Sequence, residues 1–391
     1  MDSLAIILSF LIFFFPLNTQ GTNNSFDKEF YYVQTLDHFG YGVASVTAFP
    51  QRYFLDDRYW NGGLKPSGPI FVFFGGESPI DSMPGNVGLL NDCASQFGAL
   101  ILYIEHRFYG KSVPLGSIDL AMTDPDTRNY LTSEQSLADF AEIILSVKAN
   151  HSTTNSGVIV VGGSYAGLLA AWFRLKYPHI AFGALASSAP ILSFDGSIPE
   201  YAACDVVSKD FQEIDERCYD TIRHSWATID KIASQVNGLD ILSLTFNTCR
   251  TLKTSNALKT YLANLYTVGA QYNGQFNSFI RLLCSAINGL NDSIKGISKA
   301  VSLTVGNDSC LEIIDNGDSH SPIIDMNSFK AWDWQLCTEL VVPKGCRENS
   351  MLPQHRFNLT TYTRNCLHTY GVLPRSQWVR TYYGGHTFWS L

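Results

Sequence analysis

Charge is scarce in this chain. Only 16% of its 391 residues are Asp, Glu, Lys or Arg, against 46% hydrophobic, which excludes a disordered, solvating polypeptide. The net charge is −8 with no basic cluster, which argues against nucleic acid and against an anionic membrane surface as partners. No apolar run spans a bilayer comfortably; Leu4 to Phe15, apolar except for Ser9, is cut short by Pro16. No C-x-x-C pair occurs among the cysteines, so a zinc site or redox motif is not expected. Internal repeats and low-complexity tracts are also missing.

What is present suits the secretory route. Residues 1–21 read as an export signal, although its start carries Asp2 and no basic side chain. Five N-x-S/T sequons follow, at Asn23, Asn150, Asn291, Asn307 and Asn358. In an oxidising compartment the nine cysteines read as disulfides. Eight of them lie after residue 200, which leaves Cys93 as the odd thiol.

Tyr31 to Phe54 mixes aromatic and β-branched residues and predicts one or two antiparallel strands at a sheet edge. Pro69–Phe74 and Ala99–Glu105 read as buried strands, the first ending in Gly75-Gly76-Glu77. Thr132-x-x-Gln135 offers a capping box for a helix carrying Leu137, Phe140, Ile144 and Val147. Val158 to Val161 is a further buried strand, Leu168 to Tyr177 a helix stopped by Pro178, and Phe182 to Ala189 the next strand. Strands alternating with helices predict an α/β fold with a mostly parallel sheet.

Between strand and helix stands Gly162-Gly163-Ser164-Tyr165-Ala166-Gly167. This is G-x-S-x-G centred on Ser164, with Ala166 where the last glycine is usual, in the setting of a nucleophile elbow. It specifies an α/β-hydrolase sheet. Ser164 is the candidate nucleophile. The N–H of Tyr165 is the first oxyanion donor, and Gly75 or Gly76, after the Pro69–Phe74 strand, the second. The expected domains are a core at 22–196, a helical cap at 197–340 and a return segment at 341–391.

Gly162–Pro178 and Ala186-Ser-Ser-Ala-Pro190 resemble the serine peptidases typified by lysosomal Pro-X carboxypeptidase and dipeptidyl peptidase II. So do Gln34–Phe39, Glu105–Ser112 and Trp334–Glu339, and the likeness covers roughly residues 30–385. The resemblance implies an exopeptidase cutting peptides next to proline, carboxypeptidase-like, in the lysosome, vacuole or outside the cell. No cofactor and no metal are expected, and a homodimer is left open. Glu77, Gln335 and Glu339 are candidates for binding a peptide terminus, with a cap-to-core hydrogen-bond network as the equal alternative; Trp332 and Trp334 are candidates for lining a proline pocket or for the core. The resemblance also suggests the bridges Cys204–Cys284, Cys218–Cys310, Cys249–Cys337 and Cys346–Cys366.

The triad acid and histidine of such enzymes lie in Asn-Gly-x-x-Asp-Pro-Trp and Gly-x-His-x-x-Asp-Leu segments. Neither occurs in these 391 residues. The reading therefore expects a shortened chain without the last sheet strands and with impaired activity. Downstream histidines such as His320, His355, His368 and His386 lack the strand context of a triad base. An esterase of the same fold and an inactive binding chain are the competing readings.

Overall fold

The computed structural model describes residues 28–62, 67–151, 153–194, 196–274, 278–305, 309–313 and 326–384. The export-signal segment, Asn23, Asn307, His320 and His386 lie outside them. The chain divides into two compact units. One is helical, Ile198–Ile324 with Pro343–Thr360; the other runs up to Ser197 and adds Asp325–Val342 and the chain from Thr361.

The sheet unit is built on six strands in the order β1-β2-β4-β3-β5-β6. Strands β1 (Glu29–Thr35) and β2 (Ala48–Asp56) pair antiparallel, and β2 pairs antiparallel with β4 (Leu100–Ile104). Strands β4, β3 (Ile70–Phe74), β5 (Val158–Gly163) and β6 (Ala181–Ser187) run parallel. Every side chain of β3 and β4 is buried because both faces of the sheet are covered. Ile70, Val72 and Phe74 pack with Phe140 and Ile144 of α2 (Ser133–Asn150) and with Leu169 and Phe173 of α3 (Ser164–Lys176). Phe71, Phe73, Ile101 and Tyr103 alternate to the other face, against Leu90 and Ala94 of α1 (Gly88–Phe97).

Two local expectations change in detail. Only half of the capping box forms: Thr132 Oγ1 accepts from Gln135 N at 3.3 Å. The Gln135 side chain is drawn instead to Asp37 Oδ1 and to the backbone N–H of His38. Strand β5 runs two residues further than its β-branched run, because Gly162 and Gly163 still pair with Ala186 and Ser187 of β6.

The helical unit contains α4 (Ala202–Ile214), α5 (Glu216–Ala233), α6 (Gly238–Thr245), α7 (Ser255–Gln271), α8 (Phe279–Asn288) and α9 (Ser293–Val305). Their apolar stripes close on one core that includes Phe211, Ile222, Ile229, Leu258, Leu262, Tyr266, Leu283 and Ile297. The next helix, α10 (Met326–Thr338), was expected in the cap but belongs to the sheet unit. There Ala331 and Trp334 are buried with Phe108 and Tyr109. Residues 343–360 move the other way, because Gly345 N donates to Glu200 O and Trp226 Nε1 donates to Met351 O.

The disulfides correct the expected pairing throughout. Cys204 bridges Cys346, Cys218 bridges Cys284, Cys249 bridges Cys310 and Cys337 bridges Cys366, with Cα separations of 4.9–5.5 Å. The cause is which elements pack together. Cys218 and Cys284 lie in the one apolar core of α5 and α8, and Cys337 rides on α10 inside the sheet unit. Cys93 is the free thiol.

Candidate active site

Strand β5 delivers the chain into α3 through a single residue in the left-handed region, Ser164, at φ 54°. A non-glycine residue there is strained by about 1 kcal/mol or more and persists only when its neighbours over-determine it. Those neighbours are visible in the glycines. A Cβ on Gly162 would fall 2.1 Å from the Ala166 carbonyl oxygen, and one on Gly167 would fall 2.9 Å from that of Ser187. Gly163 has nothing within 4 Å. Ala166 replaces the usual glycine without conflict because its methyl faces Gly76, which has none. Ser164 is consequently exposed at the first position of a 13-residue helix, where the helix dipole favours negative charge.

The oxyanion donors can now be separated. The Tyr165 N–H lies in the first turn of α3 and has no intrahelical acceptor. Gly75 N already donates to the Ile104 carbonyl at 2.7 Å, so its amide is spent. Gly76, whose Cα lies against Ala166 and Tyr165, makes no backbone N–H bond among the described residues. Of the two glycines, Gly76 is the one whose amide has no backbone acceptor among the described residues. Its loop is anchored by Glu105, which accepts from Ile80 N, Lys111 N, Ser112 Oγ and Arg52. Arg52 also clasps Asp81 through both terminal nitrogens, at 2.8 and 2.6 Å. Gly110, at φ 57°, leaves the space that the Glu105 carboxylate fills.

Beneath the elbow lies a buried polar network. Tyr165 Oη is 2.7 Å from Gln335 Nε2 and 3.1 Å from His106 Nε2. Tyr109 Oη donates to Gln335 Oε1 at 2.7 Å, and Gln335 Nε2 also lies 3.3 Å from Glu339 Oε1. Glu339 accepts from Ser133 N at 2.7 Å and Ser133 Oγ at 2.8 Å, and Ser133 Oγ lies 2.9 Å from Tyr383 Oη. Burial pushes the Glu339 carboxyl up to about 7, against the pull of Ser133 at the N-terminus of α2. Burial likewise lowers the His106 imidazole to about 4.

Of the two readings of Gln335 and Glu339, the internal hydrogen-bond network is the one seen: they are 0% and 1% exposed, and their polar atoms are engaged inside the protein. Trp334, a candidate for a proline pocket or for the core, is buried, with Arg128 over its ring at 4.8 Å and Tyr370 against its edge. Glu77 remains half-buried beside Gly76, its carboxyl pushed up by burial. Trp332 is half-buried with its ring 5.2 Å from that of Tyr165. Arg107 pairs with both oxygens of Asp139 at 2.6–2.7 Å, and His38 approaches the same carboxylate at 2.7 Å. These motif residues hold the fold under the site.

Among the described residues, no side chain is hydrogen-bonded to the Ser164 hydroxyl. None of them form a group of three or more His, Cys, Asp or Glu able to hold a metal ion. Nor is any described helix long and apolar enough to cross a membrane.

An exposed serine at a strained strand-to-helix turn of a mostly parallel, doubly covered sheet defines a serine hydrolase of the α/β-hydrolase class. The family model described as serine carboxypeptidase S28 matches residues 34–387, and the chain belongs to that family of serine peptidases. It is similar to the lysosomal Pro-X carboxypeptidase of Homo sapiens, at 35% identity over 91% of this chain and 73% of that protein. The thymus-specific serine protease of Homo sapiens is 32% identical over 90% of this chain and 72% of its own length. The prolyl carboxy peptidase like protein 5 of Caenorhabditis elegans is 29% identical over 91% and 75%.

Proposed function

We propose that this serine peptidase is an exopeptidase that cuts next to proline, carboxypeptidase-like, with Ser164 as nucleophile. The observation that carries the reading is the placement of Ser164: exposed, left-handed, and flanked by the unspent N–H groups of Tyr165 and Gly76. In the first step Ser164 Oγ bonds to the scissile carbonyl carbon and gives up its proton to a base. The carbonyl oxygen, now an oxyanion, is held by the two amides. Collapse expels the leaving amine with that proton and leaves an acyl ester, which water hydrolyses. The names of the Pro-X carboxypeptidase relatives support the proline preference. The half-exposed Trp332 ring offers an apolar face to it, and Glu77 suits a substrate amine.

The proton acceptor is the weak point. With no described side chain bonded to Ser164 Oγ, we infer that the described residues build the elbow and its oxyanion donors but supply no base in contact. The chain's turnover is then lower by several orders of magnitude than that of a complete triad. The same observation favours a binding chain as second reading. Passage through the secretory route to a lysosome, a vacuole or the exterior is supported by the lysosomal relatives and the exposed sequon residues Asn150, Asn291 and Asn358.

Release of the last residue from peptides with penultimate proline, compared with release of N-terminal dipeptides and hydrolysis of simple esters, tests the reading. Slow, Ser164-dependent release from the first group is expected. Ester hydrolysis without any peptide release would contradict it.

A further inference from the structure

We infer that Gln335 is a positioning residue for the elbow, fixing the Tyr165 side chain and with it the aim of the Tyr165 N–H at the oxyanion. This rests on Ser164 being the nucleophile, and extends the site to α10, 170 residues away in sequence.

The directions of the hydrogen bonds follow from one atom. The Arg107 carbonyl, 2.7 Å from His106 Nδ1, can only accept, so Nδ1 carries the ring proton. Buried and held well below its ordinary range, the ring is neutral, and Nε2 bears a lone pair. Tyr165 Oη, 3.1 Å away, therefore donates to it. The lone pairs of that hydroxyl then accept from Gln335 Nε2. Gln335 Oε1 accepts a hydrogen bond from the Tyr109 hydroxyl, and the second amide hydrogen turns toward Glu339. The amide is thus held at both ends, by Tyr165 on α3, by Tyr109 on the loop after β4 and by Glu339 just beyond α10. An amide reversed end for end would set its oxygen against Tyr165 Oη, whose proton is committed to His106, so Tyr165 selects the observed orientation.

The consequence reaches the chemistry because Tyr165 follows Ser164 directly. A residue in the left-handed region relaxes when its neighbours loosen, and the fully buried Tyr165 ring is the largest anchor of the first turn of α3. A shift of about 1 Å in a reacting group or donor costs roughly 10²-fold in rate.

The test compares wild type with Gln335→Met, Tyr165→Phe and the double variant. The readouts are the rate of fluorophosphonate adduct formation at Ser164, located by peptide mapping, and the affinity for a peptide ending in Pro-X. Each single variant is expected to slow the adduct by ~10-fold or more, with peptide affinity unchanged, and the double variant to be no slower than the singles. If Gln335→Met does not fold, Tyr109→Phe serves, with a smaller slowing of about threefold expected from loss of one anchoring bond. Nitrogen NMR of wild-type His106 should give the neutral Nδ1–H tautomer at pH 6. An unchanged adduct rate, multiplicative slowing in the double variant, equal loss of peptide affinity, or the Nε2–H tautomer would each overturn this inference alone. No adduct on wild-type Ser164 would overturn the nucleophile assignment and this inference with it.

Discussion

The two units are held together by different physics. The helical unit has an apolar core of aliphatic and aromatic side chains and is tied by Cys204–Cys346, Cys218–Cys284 and Cys249–Cys310. The sheet unit carries one bridge, Cys337–Cys366, and instead buries charged and polar side chains in networks: Arg52–Glu105, Arg107–Asp139–His38 and Glu339–Gln335–Tyr165. Apolar packing sets volume, whereas hydrogen bonds set direction. The unit that carries the elbow, and on our proposal aims two backbone N–H groups at one oxygen, is the one that uses directional contacts.

The comparison can be broken at either unit. The largest effect is expected from Ser164→Ala, which should abolish serine-directed labelling (~10³-fold or more) while leaving the melting temperature nearly unchanged. Next, Cys218→Ser with Cys284→Ser opens a bridge spanning 66 residues and should cost about 2–5 kcal/mol in denaturant titrations. The loss should appear in the helical unit, followed by hydrogen exchange of its peptides, with the elbow peptide protected as before. Loss in the sheet unit instead would erase the distinction drawn here. Gly162→Ala should cost roughly 3 kcal/mol because its Cβ meets backbone, whereas Gly163→Ala, one residue on, should stay within about 0.5 kcal/mol.

The pH dependence sharpens the contrast. Glu339 has a folded-state pKa raised to about 7, so the folded protein keeps a proton that the unfolded chain releases near 4.5. Its stabilising effect is present below that value and is lost as pH rises toward 7. The loss is on the order of 3 kcal/mol. His38 acts in the same sense one window higher. Burial pulls its imidazole down, but hydrogen bonds to Asp139 and Glu142 outweigh this and raise it to about 8. Its contribution, complete below pH 6.5, fades as pH climbs through 8. Denaturant titrations at pH 5 and pH 8 should show wild type weakening and Glu339→Gln weakening less. Equal slopes would mean that Glu339 is not the group responsible.

Much of the sheet unit was legible because its signals are local. The buried runs of β3, β4 and β5 and the Gly162–Gly167 turn declare themselves within a few residues. Assignments that needed distant partners were not. For Gln335 and Glu339 a substrate contact and an internal network stay equally open until Tyr165, Tyr109 and Ser133 are known to meet them. The Glu105–Ser112 stretch carried the available hint, a dense polar run directly after a buried strand. The disulfides failed for the same reason: pairing depends on which helices pack, and spacing along the chain does not encode that. Choosing Gly76 over Gly75 required one hydrogen bond, from Gly75 N to Ile104 O, that no composition rule predicts.

We propose that Ser164 is built as a nucleophile, and among the described residues it has no base in contact. The rate of fluorophosphonate labelling, measured by intact mass and peptide mapping with and without added imidazole, tests this most directly. A slow adduct confined to Ser164, accelerated by imidazole and absent from Ser164→Ala, is expected. Rapid labelling indifferent to imidazole, or an adduct at another residue, would contradict the proposal.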